Sequence, residues 1–182
     1  MLIDTATLID SISRLVQPWA DLYSDSRVLS TSVITLHILA MFTGGGMAIA
    51  ADRAILRSAP GTADAVRAVV ADLATTHSVV IWSLVLTVLS GVALLASDVG
   101  TFAVSWVFWA KMAAFVSLML NGLRMQRAER NVITRLDGAP IRTAEMPVPF
   151  PKQEWGGIRS SAGVSLFGWF ATLILGVVLT NS

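Results

Sequence analysis

The chain has 182 residues, 54% of them apolar and only 14% charged, with a formal net charge of +1. A soluble domain carries about 25% charged residues, so an ordinary water-soluble globule is excluded. There is no cysteine, which excludes disulfides, thiolate-held zinc or iron–sulfur clusters, and covalent haem attachment through a Cys-x-x-Cys-His run.

In chain order, the start "MLIDTATLID" lacks the basic region and continuous apolar run of a cleavable signal. Residues 4–19 then carry Leu8, Ile12, Leu15 and Trp19 at helical spacing, with Asp10, Ser11, Arg14 and Gln17 elsewhere on the wheel. Asp4 or Thr5 can cap the start, and Pro18 lies near the end. At this length the pattern predicts an amphipathic helix lying in a membrane interface, or one docking a partner. Four segments meet the length for crossing a bilayer, about 20 mainly apolar residues: 28–51, 77–97, 102–122 and 161–180. The expected fold is therefore all-α, a four-transmembrane-helix bundle forming one integral membrane domain over 1–182, with an N-terminal interfacial helix.

Between the spans, Pro60 and Gly61 mark a turn, and Thr62 can cap a helix opening in the polar "TADAVRAVVADLATT". The short "SDVGT" makes spans two and three expected antiparallel neighbours. Span three runs on into the basic helix "RMQRAERNVITRL", whose arginines read as topology determinants and phospholipid contacts, not as a nucleic-acid site. Residues 136–159 read as a proline-rich tether, because Pro147, Pro149 and Pro151 favour an extended polyproline conformation. Ser160 and Ser161 can cap span four. Ten of the 13 Lys/Arg lie in the connections 52–76 and 123–160. Basic loops stay cytoplasmic, so both termini are expected in the periplasm of a bacterial inner membrane.

Ionisable groups at membrane depth are expensive and mark function by default. The chain's only two histidines fall in or beside spans: His37 in span one and His77 at the head of span two. Two imidazoles on adjacent helices suggest axial ligands of a b-type haem, the alternative being a structural or proton-handling pair. Counted from Pro60, they would lie about 9 Å apart along the axis, at about 1.5 Å per residue. Gly44 lies about 20° from His37 on its wheel and Gly91 about 40° from His77, at about 100° per residue. Such glycines leave a gap for a flat ring, or for a neighbouring helix. Lys111, nine residues into span three, could neutralise a haem propionate, meet a quinone, or snorkel to the interface.

Other polar residues read more plainly. Asp52, Arg53 and Asp72 form surface ion pairs or take up protons, and Asn121 bonds a neighbouring helix. Ser161, Ser165, Gly168, Thr172 and Gly176 make an inward packing stripe on span four. Met41, one turn after His37, and Met112, beside Lys111, would suit copper(I) but are commoner as core residues.

Three stretches, "LHILAMFTGGGMAIAADRAILR", "HSVVIWSLVLTVLSGVALL" and "FWAKMAAFVSLMLNG", resemble membrane proteins of the copper-resistance-D-like type and related four-helix bacterial families. That resemblance implies a bundle with inward histidines associated with haem b, and less clearly copper, carried by His37, His77, Lys111 and Asn121. The expected function is a membrane-anchored b-type cytochrome-like electron-transfer subunit. In it, His37 and His77 hold iron, Lys111, Gly44 and Gly91 complete the haem site, and a quinone or redox partner exchanges electrons. The alternatives are a cofactor-free accessory subunit of a larger membrane complex, with other membrane subunits as partners, or a small metal transporter. A stand-alone enzyme is not indicated.

Overall fold

Side-chain caps punctuate the chain. Ser26 Oγ accepts from the Leu29 amide at 3.2 Å, Thr62 Oγ1 from Ala65 at 3.4 Å, Asp98 Oδ1 from Thr101 at 3.0 Å and Ser105 Oγ from Phe108 at 3.3 Å. Each satisfies an amide that a helix start leaves without a backbone partner. The resulting computed structural model describes residues 5–58, 62–137 and 152–179. Its helices are α1 (Thr5–Asp25), α2 (Arg27–Arg57), α3 (Ala63–Ser97), α4 (Val99–Val104), α5 (Trp106–Asp137) and α6 (Lys152–Leu179).

The all-helical fold and its four long apolar helices agree with the sequence reading. α2, α3, α5 and α6 are each long and apolar enough to cross a membrane. Two boundaries differ. α1 runs through Pro18 to Asp25, sacrificing the one backbone bond that proline cannot donate. Trp19 Nε1 secures the helix at that point by donating to the Ala93 carbonyl of α3 at 2.8 Å. α6 begins at Lys152, so Ser160 and Ser161 are helix-interior residues and not caps. The expected tether at 136–159 is shortened accordingly, and its prolines at 147, 149 and 151 lie outside the described residues.

The four long helices follow one another in space as α3–α2–α6–α5, while α5 only brushes α3. This corrects the expectation that spans two and three are close neighbours. The "SDVGT" link runs from the last residue of α3 through the capping Asp98 into α4, a separate six-residue helix between α3 and α5. Glycines choose the real partners. Gly44 on α2 admits Ser83 of α3, Gly45 admits the Trp169 ring of α6, and Gly168 on α6 admits Leu118 of α5.

The apolar core is concentrated at the arginine-rich end, where α2 and α5 finish and α3 and α6 begin. Ile55, Val66, Val70, Met125, Trp155 and Ile158 are buried there together. α6 closes the end of α2: Trp155 Nε1 donates to the Ser58 carbonyl at 3.2 Å and Arg159 to the Leu56 carbonyl at 3.1 Å. These are carbonyls that a helix C-terminus leaves open, and the arginine also complements the helix dipole.

Candidate functional site: ionisable groups inside the helices

The inward faces of these helices are not uniformly apolar. On α5 the stripe Val107, Lys111, Leu118, Asn121, Met125, Glu129, Val132 recurs at intervals of three, four or seven residues, and all but Lys111 are buried. On α3, apolar Val66, Val70 and Leu73 share a face with His77, and further along the helix Ser83, Thr87 and Ser90 are buried on the side toward α2. α2 contributes His37 and Asp52, and α6 contributes Ser161, Ser165 and Thr172.

Near the α4 end, His37 Nδ1 lies 2.9 Å from Ser90 Oγ. A Cβ on Gly91 would come within 3.3 Å of the His37 Cε1 atom, so the ring rests directly on α3. Lys111 reaches across to α6, its Nζ 3.6 Å from where a Gly176 Cβ would stand, and it is close enough to act electrostatically on His37. His37 and Lys111 are thus brought to one level, as their sequence depths suggest.

At the arginine-rich end, His77 Nε2 lies 3.7 Å from Glu129 Oε2. The Glu129 residue is only 5% exposed, and its Oε1 has no hydrogen-bond partner among the described residues. Asp52 is 3% exposed, and its Oδ2 is without a partner among the described residues. Beside them Asn121 Nδ2 donates to the Ser161 carbonyl at 2.8 Å. This is the interhelical amide bond expected of Asn121.

His37 and His77 do not meet. His37 is seated at Ser90, and the 13 residues from there back to His77 span about 20 Å of α3. One iron with two axial imidazoles needs their nitrogens about 4 Å apart, from metal–imidazole bonds of about 2 Å each. The gaps expected at Gly44 and Gly91 are also filled, by Ser83 and by the His37 ring itself. The residues present therefore do not fit a haem shared by the two histidines. Among the described residues no three His, Cys, Asp or Glu side chains converge as metal ligands.

Sequence reasoning missed Glu129, which it left within an arginine-rich surface extension. The signal was available: Glu129 continues the Leu118–Asn121–Met125–Val132 spacing, while Arg124, Arg127 and Arg130 fall on the exposed side. No family model matches the chain, and no curated protein or solved structure is detectably similar to it. The resemblance to copper-resistance-D-like proteins rests on its three quoted stretches alone.

Proposed function

We propose that this protein is a multi-pass bacterial inner-membrane protein that carries protons between the two faces of the bilayer. The carrying observation is the pair of buried carboxylates, Asp52 and Glu129, each with one oxygen lacking a partner among the described residues. A buried carboxylate oxygen without a donor costs several kcal/mol (about 1–3 for a neutral group and more for a charged one) unless a proton or cation occupies it. Chains of Asp, Glu and His inside membrane helices are the usual form of proton relays.

The line has two parts. Glu129, Asp52 and the partly exposed His77 serve the arginine-rich face, which the positive-inside rule makes cytoplasmic. His37, seated on Ser90, and Lys111 serve the periplasmic half, with Ser83 and Thr87 between. A proton on Glu129 passes to His77 by breaking the carboxylic O–H bond and forming an Nε2–H bond. Both termini are then periplasmic, and α1 lies in the interface with its exposed Leu8, Ile12, Leu15 and Leu22 toward lipid.

The test uses purified protein in sealed vesicles with a pH-reporting dye inside and a potassium-driven potential. The expected result is faster internal pH change than in empty vesicles at equal lipid. Equal rates would refute the proposal and return the chain to the role of a cofactor-free subunit of a larger membrane complex.

A further inference from the structure

We infer that Ser90 is a positioning residue that holds His37 in its Nδ1–H tautomer, so that Nε2 is the ring's only proton-accepting atom. The argument is a count of hydrogens. A serine hydroxyl has one proton to donate, and that of Ser90 is committed within its own helix. Ser90 Oγ lies 2.6 Å from the Leu86 carbonyl, the short bond of a serine to the residue four before it, and 3.3 Å from the Thr87 carbonyl. With that proton used on the backbone, Oγ can only accept on its other side. The 2.9 Å contact with His37 Nδ1 is then an N–H donated by the imidazole. The Thr87 carbonyl beside the same hydroxyl is a second acceptor and has no proton to offer the ring. Gly91 fixes the geometry from below, since the ring edge rests against it with no room for a Cβ at full van der Waals distance.

The consequence rests on the proton-carrying reading above. A histidine committed through Nδ1 takes up and releases its exchangeable proton at Nε2 alone. A proton that arrives there forms an Nε2–H bond and leaves by breaking the same bond, while Nδ1–H stays in place.

The experiment is nitrogen NMR of the full-length protein, labelled with 15N only at histidine and reconstituted in lipid. With two histidines in the chain, assignment needs one variant, His77→Gln. The expected wild-type spectrum has Nδ1 of His37 protonated and Nε2 bare. Ser90→Ala should move the tautomer ratio about fivefold toward Nε2–H, the loss of one ordinary hydrogen bond. Ser90→Thr should restore it, and the His77 signals should not move. A wild-type His37 protonated at Nε2, or a ratio indifferent to Ser90→Ala, would overturn the inference. Either result is independent of vesicle flux: flux with the other tautomer sinks the role of Ser90 alone, and the expected tautomer without flux sinks the transport reading alone.

Discussion

Replacing Gly44 by alanine tests whether glycine contacts set the register of the helices. A Cβ at Gly44 would stand 2.7 Å from Ser83 Cβ, whereas carbon atoms in contact sit about 3.5–4.0 Å apart. The α2–α3 crossing must therefore open by about 1 Å, and overpacking of that kind costs about 1–3 kcal/mol. Against this stands a helix-propensity gain of up to about 1 kcal/mol for alanine over glycine. Gly46, two residues on, has nothing within 4 Å of its added Cβ, so Gly46→Ala keeps the propensity gain without the clash. The two variants should differ by about 1–3 kcal/mol, with Gly44→Ala the less stable. Reversible unfolding in mixed detergent micelles, followed by circular dichroism, measures that difference. Equal stability of the two variants would refute the claim that Gly44 is a contact glycine.

Asn121→Leu removes the amide bond to the Ser161 carbonyl, and should destabilise the α5–α6 pair by about 0.6–1.7 kcal/mol in the same unfolding assay. Trp19→Phe removes the 2.8 Å bond to the Ala93 carbonyl at a cost of about 1 kcal/mol, and limited proteolysis should cut α1 sooner. A reduced-minus-oxidised visible spectrum of the purified protein should lack a bis-histidine low-spin haem signature, given the 20 Å of helix between the two histidine levels estimated above. Asp52→Asn should retain the fold, because asparagine is nearly isosteric and removes a charge from a 3% exposed site, while slowing proton flux in vesicles.

How much of this was legible in the sequence differs by level. The four long helices were, because apolar runs of that length have few other readings. The Thr62 cap and the continuous basic extension of α5 were legible too, from local chemistry. Helix neighbours were not, since "SDVGT" looks like a tight link and gives no sign that Val99–Val104 forms its own turn of helix. The histidine geometry was misjudged for a related reason. Counting from Pro60 assumed that the α2–α3 hairpin folds symmetrically about its turn residues. The contacts Gly44–Ser83 and His37–Ser90 instead both centre the pair between residues 63 and 64. That shift of between three and four residues on each helix adds about 10 Å to the expected separation. Register is a property of which small side chains interlock across the interface, and that information is not local to either helix. Glu129 was hidden by its neighbours: a carboxylate among arginines reads as solvated until the stripe it belongs to is traced over several turns.

The most direct test of the proton-carrying account compares wild type with Glu129→Gln in matched vesicles under the same imposed potential. Glutamine keeps the shape and cannot release a proton, so the account predicts flux falling to the level of empty vesicles while helix content and unfolding are retained. Undiminished flux through Glu129→Gln would contradict it.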